Sequence, residues 1–290
     1  MIESSGRQLT VLPYPSQGHI NPLLQFAKRL ASKGVKATIA TTHYTVNSIS
    51  ALNVGVEAIS DGFDTGGFAE AKSEDLFLKS FKANGSRTLS ELIQKYQNSD
   101  FPVNCIVYDS FLPWALDVSK QHSIYGAPFF TNSATVSGIF SQIHLGLVSL
   151  PVKQEDMPLL IHGFPPLNFP DLPSFLKFPE RYPEAKAVSN LWPGKLIGPM
   201  VPSAYLDGRI DGDKGYGANE KGIVRKEELV SCLKNVMEGK RSQEIKKNSI
   251  KWREKAKAAV SEGGSSDNCI KEFVEFLISS DRKKLLNGHN

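Results

Sequence analysis

The sequence lacks most of the features that commit a chain to a special environment. Its 290 residues include three cysteines, Cys105, Cys232 and Cys269. They are far apart and odd in number, with neither zinc spacing nor a disulfide framework, which implies free thiols in a reducing compartment. No apolar run approaches the roughly 20 residues of a membrane span. The stretch Met1 to Gln8 is polar and has no apolar signal core. The formal net charge of +4 is too small to argue for nucleic acid. Together these absences predict a cytoplasmic chain with no membrane and no nucleic-acid partner. Nucleotide fingerprints are missing too. Asp61 to Gly67 is glycine-rich, but no lysine follows at phosphate-loop spacing, and no strand runs into a G-x-G-x-x-G turn. A nicotinamide-dependent oxidoreductase would have the right sheet and needs that turn. Asp211-Gly212-Asp213 lacks the ligand spacing and final glutamate of a calcium loop. Neither a metal nor a cofactor is expected. Asn84-Gly85-Ser86 fits a glycosylation sequon, which without a secretory signal reads as chance.

What is there is ordinary globular composition, 40% hydrophobic and 22% charged, arranged in alternating elements. Strands are expected at Leu9 to Leu12, Val35 to Thr42, Val54 to Ile59, Phe101 to Tyr108 and Ala127 to Phe130. Helices are expected between them: Leu23 to Ala31 closed by Gly34, Ser73 to Tyr96 with Leu76, Phe77 and Phe81 facing in, and Pro113 to Gln121. A further helix opens at Thr131 to Ser133 and stops at Gly146. This alternation predicts an α/β fold, a parallel, doubly wound sheet. Right-handed crossovers then put every strand's carboxyl end on one edge.

The densest stretch is Val11 to Leu24. A strand meets two prolines, a serine and a glycine; Asn21 is a good N-cap and Pro22 suits the first helical position. His19 then sits at the mouth of a helix, beyond a strand end, where ligands bind in open sheets. The partial positive charge of a helix start favours neutral imidazole, the form that accepts a proton. The same edge collects Asp109 and Thr131 to Ser133. Asp109 either orients His19 or caps the helix that follows it, and both are open.

From Leu150 to Pro183 repeated prolines break every long element; the region is either a linker or a wall over a cleft. Lys195 to Met200 reads as a short strand, and residues 203 to 222 as a mobile stretch. Three amphipathic helices follow, carrying Leu229 to Met237, Ile245 to Val260 and Ile270 to Leu277. Between residues 221 and 262, 12 basic residues face 6 acidic ones, which a solvated helix face explains.

Three motifs carry a resemblance. Pro15-Ser16-Gln17-Gly18-His19-Ile20-Asn21-Pro22, Val107-Tyr108-Asp109-Ser110 and Phe129-Phe130-Thr131-Asn132-Ser133 are similar to plant family 1 UDP-glycosyltransferases. The branch they most resemble glucosylates small carboxylates and phenols. Ile197-Gly198-Pro199-Met200 and the run from Glu227 to Ser266 resemble later segments of that family. The resemblance implies a GT-B fold whose N-terminal Rossmann-like domain binds the acceptor and whose C-terminal domain binds the UDP-sugar. It implies His19 as catalytic base, Asp109 as its orienting partner, and substrate contacts from Ser16, Gln17, Gly18, Thr131 and Ser133. It implies inverting transfer from UDP-glucose, a co-substrate, to a hydroxyl or carboxylate of a small plant metabolite, without metal.

The sequence also departs from that family. The C-terminal box that grips the UDP-sugar is absent, and Trp114, Trp192 and Trp252 all lack its context. The domains expected are therefore 1–200 for the acceptor, 201–222 as a flexible linker, and 223–290 as a helical remnant of the donor domain in place of a complete second Rossmann domain. A catalytically incompetent product, truncated or spliced, that at most binds the acceptor is the alternative.

Overall fold

The computed structural model describes residues 8–161, 165–179, 197, 198, 200, 230, 233, 234 and 236–287. The expected linker, 201–222, lies outside them. The chain divides into two compact units, residues 1–196 and 197–290.

The first unit is built on five parallel strands: β1 (Gln8–Leu12), β2 (Lys36–Thr42), β3 (Val54–Ile59), β4 (Val103–Asp109) and β5 (Tyr125–Phe129). Their spatial order is β3-β2-β1-β4-β5. β1 is central, and all five of its residues are buried, as a strand covered on both faces must be. Helices α1 (Gln17–Ala31), α2 (Glu74–Gln97) and α3 (Trp114–Gln121) connect β1 to β2, β3 to β4 and β4 to β5, and α4 (Ala134–His144) follows β5. The connection from β1 moves one way across the sheet and the connection from β4 the other. Right-handed crossovers therefore place α1 and α3 on opposite faces. Phe77, Phe81, Leu89, Leu92 and Ile93 of α2 join Trp114, Ala115 and Val118 of α3 over Leu12, Ile106 and Tyr108 of the sheet.

Two local expectations change. Helix α1 begins at Gln17 with Ser16 at the N-cap, so Asn21 is not the cap and Pro22 lies inside the helix. Proline there removes the N–H that would pair with the Gly18 carbonyl. Gly18 is exposed, so water can serve that carbonyl instead. Ser16 O accepts from both His19 N at 2.9 Å and Ile20 N at 2.8 Å, which closes the first turn. In α2, Leu76 is 52% exposed, because Ser73 caps the helix and Leu76 falls in its first, outward turn.

The described part of the proline-rich region packs into an apolar cluster of its own. Turns at Gln154–Asp156 and Phe169–Asp171 and a short helix α5 (Ser174–Lys177) supply Val152, Leu172 and Leu176. These pack with Ile139 of α4, Val148 and Ile161.

The second unit holds α6 (Ser242–Val260) and α7 (Ser265–Asn287). Gly263 turns the chain between them at φ +76°, and its N–H donates to Asp267 Oδ2 at 3.1 Å. Val260, Ile270, Val274 and Leu277 are buried. Trp252, within the amphipathic stretch expected from Ile245 to Val260, is 64% exposed. Val230, Leu233, Val236 and Met237 are helical and exposed, whereas Leu229 and Cys232 lie outside the described residues. Ile197, Gly198 and Met200 are not in a strand; the rest of the stretch from Lys195 to Met200 is not among the described residues.

Candidate functional site

The strand order explains the site. β1 and β4 are neighbours, with Leu12 opposite Tyr108, and the chain leaves them in opposite directions across the sheet. A crevice opens beyond the strand ends at such a switch point. His19, in the first turn of α1, and Asp109, the last residue of β4, meet across it. His19 Nδ1 stands 2.7 Å from Asp109 Oδ2. A carboxylate only accepts, so the Nδ1 proton lies between them, and in the neutral ring Nε2 keeps its lone pair. No described residue hydrogen-bonds Nε2.

Asp109 is fully buried, whereas the His19 side chain keeps 18% of its surface. A buried carboxylate needs partners on both oxygens. The second partner is the Phe111 N–H, which donates to Asp109 Oδ1 at 3.0 Å. Both readings of Asp109 touch on this geometry. It bonds the histidine and it shapes the turn into α3, but that helix has Pro113 at its N-cap.

Thr131, two residues past β5, is the third member. Its Oγ1 lies 3.2 Å from the same Nδ1. It arrives there because β5 pairs with β4, Phe129 opposite Asp109, and the Ser110 N–H donates to Phe129 O at 3.0 Å. The structure therefore brings His19, Asp109 and Thr131 together. Ser133 is engaged elsewhere, as the N-cap of α4, with its Oγ accepting from Val136 N at 3.3 Å. Ser16, Gln17 and Gly18 line the exposed start of α1 beside the histidine, and a Cβ added to Gly18 would meet nothing within 4 Å.

Sequence reasoning missed two rings. Tyr14 and Phe111 stand 5.2 Å and 5.1 Å from the imidazole, centroid to centroid. Each lies two residues beyond the end of β1 or β4, and that shared position is the signal that could have found them. No group of three or more His, Cys, Asp or Glu that could hold a metal occurs among the described residues. No helix among them is long and apolar enough to cross a membrane.

Comparison with known proteins adds the following. No family model matches the chain. UDP-glycosyltransferase 74B1 of Arabidopsis thaliana is 41% identical over 257 residues, 76% of this chain and 55% of that protein. The flavonol 7-O-beta-glucosyltransferase UGT74F1 of the same plant is 38% identical over 246 residues, 75% and 54% respectively. The chain spans about half the length of the curated relatives it matches. Among solved structures, Os79 of O. sativa in complex with UDP aligns with a TM-score of 0.78 at 22% identity, covering 93% of this chain and 100% of that one. A UDP-glucosyltransferase from Polygonum tinctorium aligns with a TM-score of 0.69 at 15% identity, covering 93% and 98%. The fold is that of the GT-B glycosyltransferases, a parallel Rossmann-like sheet followed by helices. Across three quarters of its length the chain is similar in sequence to plant UDP-glycosyltransferases, and the GT-B fold lies beneath that likeness.

Proposed function

We propose that the crevice between β1 and β4 is the acceptor side of an inverting glucosyl transfer from UDP-glucose to a small plant metabolite. His19 is the base. Its Nε2 takes the proton from a hydroxyl, or assists a carboxylate, while the bond from Nδ1 to buried Asp109 supports the charge the ring acquires. The freed oxygen attacks the anomeric carbon in line, the configuration inverts, and UDP leaves with the bonding pair. Thr131, Ser16, Gln17 and Gly18 contribute substrate contacts around that centre. No metal or cofactor takes part, and the site works in the cytoplasm. The observation that carries this reading is the pair itself, a part-exposed imidazole locked at 2.7 Å to a buried carboxylate at the switch point. The curated relatives, named as glucosyltransferases and glycosyltransferases, support the choice of reaction.

One observation favours a second reading of this chain taken alone. The sequence lacks the C-terminal box that grips the UDP-sugar in the family it resembles. The site then binds an acceptor and does not turn over.

The test is to incubate the purified chain with labelled UDP-glucose and a panel of phenols and benzoates, and to measure acceptor binding by calorimetry in parallel. Glucoside formed by the native chain and lost on His19→Ala, by roughly 100-fold or more, upholds transfer. Acceptor binding without glucoside upholds the second reading. A chain that binds none of the panel removes both.

A further inference from the structure

We propose that Phe111 is a positioning residue for the His19 base, acting with Tyr14 to keep the imidazole in the orientation that gives Nδ1 to Asp109 and leaves Nε2 for the acceptor. The assignment rests on the glucosyl-transfer reading of the site. Phe111 meets the pair twice. Its N–H holds Asp109 Oδ1 at 3.0 Å, the oxygen the histidine does not use. Its ring lies 5.1 Å from the imidazole at 48°. Tyr14 lies 5.2 Å from the same imidazole at 54°, and 6.3 Å from Phe111 at 80°. The three rings therefore close a triangle with the imidazole at one corner. Phe111 is backed in turn by Phe140, which is 1% exposed and stacks on Phe175 at 4.8 Å. The ring of Phe111 thus contacts the histidine on one side and the buried Phe140 on another.

An imidazole is almost symmetrical about its Cβ–Cγ bond. A half-turn exchanges Nδ1 for a carbon of similar size at small steric cost, and the difference rests on hydrogen bonds. In the flipped ring a C–H faces Asp109 and the outward nitrogen is lost as a base. The Asp109 bond opposes the flip, but Thr131 Oγ1 at 3.2 Å from Nδ1 offers a second acceptor toward which the ring can pivot. Two tilted aromatic neighbours add contacts that any pivot must break, in the geometry that ring pairs prefer. One residue, through its backbone and its ring, thereby fixes both the carboxylate and the base it orients.

The experiment uses the full chain with 15N-labelled histidine, free of donor and acceptor. Among six histidines, His19 is assigned by its loss in His19→Gln. The native chain should show one neutral tautomer with the proton on Nδ1 in slow exchange. Phe111→Leu should exchange that proton about tenfold faster, the factor a lost ring pair supplies, and should bring in a second ring-nitrogen pattern. Phe111→Tyr should keep the native spectrum, because it retains the ring, while the backbone N–H to Asp109 is common to all three chains. A folded Phe111→Leu variant whose His19 signals match the native ones overturns the proposal. Should Phe111→Leu fail to fold, Tyr14→Leu makes the same test from the other neighbour, with the same overturning result. Because the signals are read without substrate, a negative glucoside assay leaves this outcome standing.

Discussion

Asp61, two residues past the end of β3, carries a pH-dependent stability consequence. Its side chain is 1% exposed, Oδ1 accepts from Phe63 N at 2.8 Å, and Oδ2 has no partner. Burial pushes its carboxyl above the ordinary aspartate range; the Phe63 N–H works against that shift, and nearby Asp64 and Glu70 add to it. The folded state therefore holds this proton more tightly than the unfolded state. The stabilisation is complete below the unfolded value and is lost as pH rises through the folded one. Asp61→Asn should accordingly raise stability near neutrality by about 1 kcal/mol. The gain should fade as pH approaches about 4, the unperturbed value. Thermal melts at the two pH values check this, and an equal gain at both contradicts it. At this scale the sequence was half legible. His19 and Asp109 could be picked out as strand-end residues, but their meeting depended on which strands are neighbours. Periodicity carries no information on that order. Tyr14 and Phe111 read as ordinary aromatics because what singles them out is a distance to another ring.

Among the elements, α2 depends on having no side chain at one point. Gly85 is buried in it, and an added Cβ would stand 2.8 Å from both Phe81 Cδ2 and Trp114 Cη2. Alanine is the better helix former by about 1 kcal/mol. The two rings it would strike are 1% and 6% exposed and have nowhere to go, and overpacking of this kind costs about 1–3 kcal/mol. Crowding wins, and Gly85→Ala should lower stability to urea by about 1 kcal/mol net. A more stable variant would show that the α2–α3 contact is looser than these distances. The sequon Asn84-Gly85-Ser86 lies inside this helix, and Asn84 Nδ2 donates to Ser80 O at 3.2 Å. Helices and strands were legible because the apolar repeat is strong in both. Their ends were less so: Pro22 looked like a helix start, and only the free carbonyl of an exposed glycine lets the helix begin five residues earlier.

For the molecule as a whole, the missing sugar-nucleotide box makes a prediction independent of any acceptor. UDP-glucose added in large excess should leave the thermal midpoint of the purified chain unchanged, because a ligand raises it only by binding the folded state. A clear rise would assign this chain a donor site and remove the binding-only reading. Fold class followed from alternation over the first 150 residues, whereas the second unit gave only helical periodicity, with too few buried positions to orient its faces. The sheet's seam also has a consequence for how the protein is made. β1 gains its neighbour β2 within some 28 residues, Gln8 against Lys36, but waits for Cys105 to reach Leu9 on its other flank. During synthesis the central strand is therefore half-zipped while most of the first hundred residues emerge. A nascent chain stalled before Val103 presents a bare strand edge to its neighbours on the same messenger, the setting in which chaperone capture competes with clumping.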